Sequence, residues 1–390
     1  MNFVPFHLRP ASRDSVVEEL CSSSAFVPLR EIRLFDNFYI IIIIKAMKNP
    51  RIKNIYVFSL LGLIFLLTLI FINIFLTQQK EFYSDFPQQA AAINLTQLKE
   101  ISERQKSIIL MFVGDIMLNR GVEYYVRTKG NGDLRFPFLK IADYLTQADI
   151  LFGNLESVIS DKGVKVGSIY SFRAEPEAIE GLIYAGFDIL SVANNHVFDY
   201  GREAMEDNFK RLKAAGIDYV GGGFSEKEAR SVVIKEIRGI KIAYLAYTNL
   251  GSEYWEAKGE KSGIGWLDER ITDDIKLAKE KADIVVVSMH FGDEYQSQSN
   301  KQQKYFAHLA IDAGGDLVIG HHPHVVQEIE KYEEGYIAYS LGNFVFDQSF
   351  SEKTMRGLIL KVLLYDGKIK EVIPIEIRIN KYFQPEILEK

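Results

Sequence analysis

One stretch decides the fold of this chain: Gly314-Gly315-Asp316-Leu317-Val318-Ile319-Gly320-His321-His322-Pro323-His324-Val325. Its apolar run, Leu317 to Ile319, is bounded by glycines, which is typical of a short strand buried on both faces. Three histidines follow the strand at its carboxyl end, where open α/β sheets bind their ligands. Because proline restricts the residue before it, we expect His322 to be extended. The stretch therefore predicts a metal site at a strand end. The alternative for any single histidine is a hydrogen-bonded structural residue.

The same pattern occurs at three other places: an aspartate, then an apolar strand, then Asn, Glu or His at the strand end. These strand ends carry Asn154 and Glu156, then Asn194-Asn195-His196, and then His290. A fifth strand, from Ile108 to Val113, leads to Asp115. The five strand ends thus deliver nitrogen and oxygen ligands to what we expect to be one edge of a sheet. We predict that they form one shared site.

The composition is that of an ordinary globular protein. The chain has 390 residues, of which 47% are hydrophobic and 25% charged, so it is long enough for one large domain or two smaller ones. A net charge of -6 without a basic low-complexity tract gives no reason to expect nucleic acid as a partner. Cys21 is the only cysteine, which excludes an intrachain disulfide and a zinc site built on thiolates.

The N-terminal segment 1–54 precedes a long apolar stretch, and we expect it to be cytoplasmic. Within it, Met47-Lys48-Asn49-Pro50-Arg51-Ile52-Lys53 has the basic character of a complete N-terminus. We therefore hypothesise that translation starts at Met47 and that residues 1–46 are an upstream extension of the gene model. The alternative is a disordered cytoplasmic tail.

Residues 55–76 are long and apolar enough to form a transmembrane helix. No cleavage site with small residues follows them, so we predict an uncleaved anchor rather than a removed signal peptide. Lysine and arginine are concentrated before this segment, and the positive-inside rule then places everything after Leu76 outside the cell. The prediction is a single-pass protein of the cell membrane. Its extracellular domain would follow a linker over residues 77–106.

The region 107–379 alternates strand-like and helix-like segments, as α/β domains do, and we expect residues 380–390 to form a tail. Two strand pairs, over 231–247 and 357–377, have no helix between them, and Asp366-Gly367 in the second pair is a strong hairpin signal. Parallel units together with hairpins predict a mixed sheet or two packed sheets, flanked by helices. Apolar residues at helical spacing predict five helices, over 137–147, 178–185, 202–215, 269–281 and 302–313.

The predicted ligands are Asp, Glu, Asn and His. This set favours Mn, Fe, Zn or Mg and exceeds what one tetrahedral ion needs, whereas two divalent ions bridged by a carboxylate would use it fully. Such a pair activates water for displacement at phosphorus or at an amide carbonyl. His196 is followed three residues later by Asp199, whose carboxylate can orient the imidazole of a general acid. The alternative for Asp199 is a turn or helix-cap residue.

Six blocks of the chain resemble the motifs of the CapA family, in that family's order. They are Val113-Gly114-Asp115-Ile116-Met117-Leu118, Gly153-Asn154-Leu155-Glu156, Ala193-Asn194-Asn195-His196-Val197-Phe198-Asp199-Tyr200-Gly201, His290-Phe291-Gly292-Asp293-Glu294, Gly320-His321-His322-Pro323-His324-Val325 and Tyr339-Ser340-Leu341-Gly342-Asn343-Phe344-Val345-Phe346. The resemblance covers residues 108–349. It implies a capsule or poly-γ-glutamate synthesis protein with a calcineurin-like metallophosphoesterase fold, which is an α/β/β/α sandwich of two mixed sheets flanked by helices.

The resemblance also implies the metal ligands. Asp115 stands where metallophosphoesterases have their first aspartate, but Met117 replaces the histidine of their Asp-x-His, so one metal position loses a nitrogen ligand. Glu156 takes the bridging role that an aspartate usually has. The remaining implied ligands are Asn195, His290 and His322 for one metal and His324 for the other.

Other motif residues receive roles from the same resemblance. His196 is the implied general acid, with Asp199 as its partner. Asn154, which shares the bridging position with Glu156, and Asn343 are expected to contact substrate, and Asp347 is expected to line the cleft with Asn343. The alternative for Asn343 and Asp347 is a turn residue at a strand end. His321 occupies a position where the wider superfamily has glycine, and it is left out of the ligand set.

These observations predict a single-pass, outward-facing CapA-like protein that makes, exports or retains capsule or poly-γ-glutamate, an anionic polymer. Its expected partners are the bilayer, through residues 55–76, the polymer itself and membrane synthase subunits. One or two divalent ions would serve hydrolysis or transfer on the polymer or on a phosphorylated carrier. One alternative is an extracellular metallophosphoesterase for small phosphate esters. The other is a noncatalytic subunit that handles polymer beside a membrane synthase.

Overall fold

The computed structural model describes residues 62–77, 107–166 and 168–388, which belong to two units, Met1–Leu95 and Thr96–Lys390. The described part of the first unit is one helix, α1, over residues 62–77, with exposed apolar side chains. Within these ranges, no helix has both the length and the apolar character needed to cross a membrane. The predicted span 55–76 begins outside the described residues. The segment 1–54 and most of the linker lie outside them as well. The anchor therefore stays a prediction.

The second unit is a mixed α/β domain. Its described strands, β1 to β18 in chain order, are Ile108–Ile116, Ile150–Leu155, Val158–Ile159, Arg173–Ala174, Ile189–Ser191, Asp218–Val220, Gly222–Gly223, Val233–Ile237, Ile240–Thr248, Gly263–Ile264, Ile284–His290, Leu317–His321, Ile329–Tyr332, Gly335–Ala338, Asn343–Val345, Arg356–Tyr365, Lys368–Ile379 and Pro385–Ile387. Its helices, α2 to α8, are Arg120–Thr128, Ala142–Leu145, Ile179–Ala185, Gly201–Ala214, Glu226–Ala229, Ile271–Lys279 and Lys301–Asp312. Short 3-10 helices span Phe136–Phe138, Pro176–Ala178, Glu253–Trp255 and Lys353–Met355.

Two mixed sheets form the centre of this domain. The larger has the order β18-β17-β16-β1-β2-β5-β6, with β15 also paired to β1, and the smaller has the order β13-β14-β12-β11-β9-β8. Their inner faces share one apolar cluster, in which the rings of Phe152 and Tyr244 stack at 5.8 Å. Phe209 of α5 covers the outer face of the larger sheet, and Ile275 of α7 with Ala307 of α8 covers that of the smaller. The prediction of a mixed α/β fold with packed sheets is confirmed.

Local signals predicted the hairpins well. Tyr365 pairs with Lys368 across a turn in which Asp366 and Gly367 have φ values of 52° and 71°, as a tight primed turn requires. The pair β8 and β9 forms the other predicted hairpin. Asp-Gly is favoured in such turns because aspartate and glycine tolerate the left-handed region.

Two expectations about element boundaries are wrong, and one helix was not predicted. The helix over 137–147 is interrupted, because Ile141 at φ -132° leaves the helical path between the 3-10 turn and α3. The sequence patterns missed α2. Residues 385–387, expected in a tail, form β18, because a turn at Asn380 to Gln384 brings the chain back to pair with β17.

The carboxyl ends of the parallel strands in the two sheets meet at one place. Strands β1, β2 and β5 run parallel in the larger sheet, and β11 and β12 run parallel in the smaller. The five ligand-bearing strand ends are therefore divided between two sheets, which corrects the expectation of a single sheet edge. Close packing requires glycine here: a Cβ at Gly114 would lie 1.9 Å from the oxygen of Gly342, and one at Gly320 would lie 2.0 Å from that of Tyr339.

Candidate metal centre

Two buried carboxylates come from the larger sheet. Asp115 lies near the end of β1, and Glu156 follows β2 directly, and both side chains are completely buried. The amide of Asn154 donates a hydrogen bond to Oδ1 of Asp115 at 2.8 Å and lies 3.4 Å from Oε2 of Glu156. An amide donor between two carboxylates reduces their mutual repulsion and fixes their positions.

Three buried imidazoles come from the smaller sheet. His290 ends β11, and His322 and His324 follow β12. His322 and His324 have φ values of 96° and 57°, so the expectation of an extended His322 is wrong. The left-handed turn lets the amide of His322 donate to Oδ2 of Asp115 at 3.2 Å. Such sparsely populated backbone conformations cost about 1–3 kcal/mol each and are concentrated at functional sites.

These side chains form two overlapping groups of ligand atoms. In one group, ligand atoms of Asp115, Glu156 and His290 all lie within 4.8 Å of one another; in the other, the same holds for Glu156, His322 and His324. Glu156 belongs to both. Its Oε1 and the Nδ1 of His322 are buried and have no hydrogen-bond partner among the described residues. Buried polar atoms without partners are costly, and a divalent cation would satisfy them.

The two carboxylates have opposite protonation tendencies. Burial disfavours ionisation of Asp115, but the imidazoles of His321 and His324 beside it outweigh burial and hold its pKa well below its ordinary value. Burial, and then the negative charge of Asp115, raises the pKa of Glu156 well above its ordinary value. A carboxylate with a raised pKa and a free oxygen is one that gains most from a nearby cation.

The imidazoles of His290 and His322 are held neutral. Burial, followed by the proximity of His322, keeps the pKa of His290 well below its ordinary value. Burial and then His324 lower the pKa of His322 to about 3. Neutral imidazole nitrogens carry the lone pairs that metal ions bind, so the protonation state fits ligation at neutral pH.

An amide network joins the two sheets around His290. The Oδ1 of Asn195 lies 2.7 Å from Nε2 of His290, and the amide of Asn154 lies 3.2 Å from Nδ1 of the same ring. Asn194 donates to Oδ1 of Asn154 and to the carbonyl of Leu155. The predicted ligands Asn195 and His290 are thus brought together. Asn194, a strand-end residue to which no individual role was assigned, holds Asn154 in place.

His196 and Asp199 lie beside the carboxylates. Oδ2 of Asp199 is 2.7 Å from Nδ1 of His196 and also accepts the amide hydrogen of Phe172 at 2.7 Å. Because a carboxylate accepts, Nδ1 carries the proton, and Nε2 faces Oε1 of Glu156 at 3.7 Å. The ring of Phe172 lies 4.0 Å from that of His196. The carboxylate therefore orients the imidazole.

The two asparagines expected to contact substrate are fully buried. Oδ1 of Asn343 accepts from Nδ1 of His324 at 2.9 Å, and its amide donates to Gln348 and to the carbonyl of Thr354. This bond leaves Nε2 of His324 free to act as a ligand. The hydrogen bonds give Asn154 and Asn343 a positioning role, and direct contact with substrate stays a prediction.

One buried histidine was left out of the predicted set. His321 is completely buried, its Nδ1 lies 3.3 Å from Oδ1 of Asp115, and neither ring nitrogen has a hydrogen-bond partner among the described residues. The signal in the sequence that pointed to His321 was the cluster of three histidines within four residues. Met117, at the position where a histidine ligand was expected, is also buried, and its sulfur accepts the amide hydrogen of Asn119.

A cleft of about 450 Å³ opens beside the cluster. Its polar wall includes Asn195, His196 and His322. Its apolar wall includes Phe198 and Trp255, whose rings stack at 5.3 Å. Because His196 and His322 line it, the cleft connects the cluster to the protein surface. The fold and the site therefore define a mixed α/β protein whose buried carboxylates and imidazoles form a candidate metal centre beside an open cleft.

The chain is similar to proteins of bacterial capsule synthesis. Residues 109–348 match the family model described as bacterial capsule synthesis protein PGA_cap. The capsule biosynthesis protein CapA of Bacillus anthracis is 34% identical over 283 residues, covering 70% of this chain and 68% of that protein. The PGA biosynthesis protein CapA of Bacillus subtilis (strain 168) is 35% identical over 271 residues, covering 68% and 70%. The chain belongs to this capsule synthesis family, which confirms the predicted resemblance.

A solved structure described as a novel phosphatase from Mycoplasma pneumoniae is 16% identical and superposes with a TM-score of 0.41, covering 70% of this chain and 94% of that one. At this TM-score the similarity carries no inference about activity.

Proposed function

We propose that this protein is a membrane-anchored, outward-facing accessory protein in the synthesis or export of capsule or poly-γ-glutamate, and that its domain works with a divalent metal. The observation that carries the metal proposal is the convergence of Asp115, Glu156, His290, His322 and His324. Membership of the capsule synthesis family supports the proposed role in synthesis or export of the polymer. The apolar sequence over 55–76 supports the anchor.

Glu156 is the central residue of the proposed metal centre, because its carboxylate belongs to both ligand groups. Asp115 and His290 would complete one position, and His322 and His324 the other. This grouping differs from the one that the resemblance implied, in which His290 and His322 bind the same metal. A bound divalent cation supplies Lewis-acid activation of water and charge neutralisation at a phosphoryl or carbonyl oxygen. Mn, Fe, Zn and Mg all fit a set of oxygen and nitrogen donors.

His196 is the proposed proton donor. Asp199 fixes the tautomer with the proton on Nδ1 and stabilises the imidazolium form, so a protonated Nε2 can donate to a leaving group in the cleft. Phe172 covers one side of the ring and limits access of water. Hydrolysis or transfer on the polymer, or on a phosphorylated carrier, is the reaction that these residues would serve.

The test is metal stoichiometry. The full chain is purified in detergent without chelators and analysed for Mn, Fe, Zn and Mg. We expect one or two equivalents, where two indicate a binuclear centre and one indicates a position weakened by Met117. A metal content near zero, also after incubation with Mn and desalting, would contradict the proposed metal centre and favour a noncatalytic subunit that handles polymer beside a membrane synthase.

Hydrolysis of small phosphate esters is the second candidate function. The observation that favours it is the hydrogen bond between His196 and Asp199 beside Glu156, which is an acid–base arrangement that polymer binding alone does not require. Turnover of bis(p-nitrophenyl) phosphate in the presence of Mn would support this candidate. Absence of turnover with Mn would exclude it, and turnover that does not depend on His196 would contradict the acid–base role of that residue.

A further inference from the structure

The most exposed apolar side chains of the domain are concentrated in three loops. Among large hydrophobic residues in the described part of the second unit, the six most exposed have exposed fractions of 61% to 84%. One loop lies between β3 and β4, one follows β9, and one follows β15. We call the six residues the rim; they are Val164, Val166, Ile169, Tyr170, Tyr254 and Phe350.

Part of the rim borders the cleft, and part lies near His324 of the metal cluster. Val166 lines the cleft together with His196, and so does Trp255, the neighbour of Tyr254. On the other side, the ring of Phe350 lies 5.2 Å from that of Tyr295, which in turn lies 6.2 Å from the ring of His324. Apolar side chains of the rim are thus placed beside the cleft and near the metal centre.

Exposed apolar side chains in such a concentration mark an interaction surface. The rim residues lie in separate loops rather than on one helix or strand face, and Tyr, Phe, Ile and Val are the kinds of side chain that enter a membrane interface. The loop from Asp161 to Arg173 carries three basic side chains and one acidic side chain. The acidic Asp161 is paired with Arg211 and the basic Lys162 with Asp207, whereas Lys165 is exposed. This charge suits anionic lipid headgroups.

We propose that the rim docks on the outer surface of the lipid bilayer, with Ile169 and Phe350 entering the headgroup region. The metal centre then faces the membrane and receives a substrate presented at its surface. This inference rests on the proposed membrane anchor. Residues 78–106 connect α1 to the domain, and a fully extended chain of this length spans about 100 Å, so the linker is long enough for an anchored domain to contact the bilayer.

The test uses the full chain with Cys21 replaced by serine, so that one new cysteine can carry an environment-sensitive fluorophore. The probe is placed by Ile169→Cys at the rim or, as a control, by Lys368→Cys at the opposite end of the larger sheet. Each protein is reconstituted into nanodiscs of phosphatidylglycerol and phosphatidylethanolamine, with and without nitroxide-labelled lipid. We expect at least twofold quenching and a blue-shifted emission at position 169, and neither at position 368.

Each outcome separates the docking from the anchor. Protein in the nanodiscs with an unquenched probe at position 169 overturns the docking and leaves the anchor intact. A blue shift without quenching by lipid also overturns it, because the rim then contacts protein, such as a second copy. A chain that does not incorporate into nanodiscs refutes the anchor and the docking that rests on it. The variant Lys165→Glu should weaken the quenching, whereas Lys370→Glu should not.

Discussion

The Nδ1 atom of His196 lies 2.7 Å from Oδ2 of Asp199, and the same carboxylate oxygen accepts the amide hydrogen of Phe172. Two donors therefore hold one oxygen of a nearly buried carboxylate, and the imidazole cannot rotate without losing a charge-assisted hydrogen bond. The other ring nitrogen remains directed toward Glu156 and the cleft.

The variant Asp199→Asn should therefore lower turnover without removing metal. An amide in place of the carboxylate neither stabilises the imidazolium nor fixes the tautomer, so we expect a loss of about 100-fold, within the range of general acid–base catalysis. The measurement is hydrolysis of bis(p-nitrophenyl) phosphate with Mn, together with metal content. Asp161→Asn, at an exposed ion pair, is the control. Unchanged turnover in Asp199→Asn would rule out this role.

The variant His322→Ala should remove the more tightly bound metal. It deletes one of three ligands in the group that Glu156 and His324 complete. Elemental analysis after desalting should show the loss of about one equivalent if the wild type holds two. His308→Ala is the control, because His308 pairs with Glu330 away from the cluster. Equal metal content in both variants would contradict the assignment of His322 as a metal ligand.

The variant Asn343→Ala should weaken metal binding without abolishing it. The imidazole of His324 then loses the acceptor that fixes its orientation, and removal of such a partner costs about 10–100-fold in metal affinity. Titration calorimetry with Mn measures the change, and Asn380→Ala, in the turn before β18, is the control. Affinity within twofold of the wild type would show that Asn343 does not orient the ligand.

The variant Glu156→Gln should stabilise the metal-free protein at neutral pH. Because burial and Asp115 raise the pKa of Glu156 above its unfolded value, folding is favoured while the group is protonated, and this advantage is lost as the pH rises through the folded pKa. The loss is about 1.4 kcal/mol for each pH unit between the two pKa values. Urea unfolding with chelator should show a variant more stable than the wild type at pH 7.5, with a smaller difference at pH 5.

Saturating Mn should reverse this order, since the charged carboxylate then has a cation to bind. A variant that is less stable than the wild type at pH 7.5 in chelator, or a wild type that gains nothing from Mn, would contradict the assignment of Glu156 as the central ligand.

Much of the fold could be predicted because its signals are local. The aspartate-to-strand pattern locates β2, β5, β11 and β12, and Asp366-Gly367 locates one hairpin, since each depends on a few neighbouring residues. The boundary at Ile141 and the pairing of β18 depend on packing and on a turn that returns the chain, which periodicity does not report.

The candidate site could be predicted as a set of residues but not as an arrangement. Strand ends bearing ligands identified Asp115, Glu156, His290, His322 and His324, and the structure brings all five together. The division of these residues between two sheets is a long-range property that no local pattern contains. The left-handed φ of His322 was also missed, because the hydrogen bond from its amide to Asp115 outweighs the restriction that Pro323 imposes.

The division of the cluster has a consequence for folding. The carboxylates belong to the half of the chain that ends before β6, whereas the ligand imidazoles belong to the half that begins with β8. Neither half contains both kinds of ligand. The binding site for a cation is therefore complete only when the two halves are correctly packed together, and a bound cation would stabilise that arrangement. Loss of the metal would then weaken the contact between the two sheets before it affected the strand pairing within either sheet.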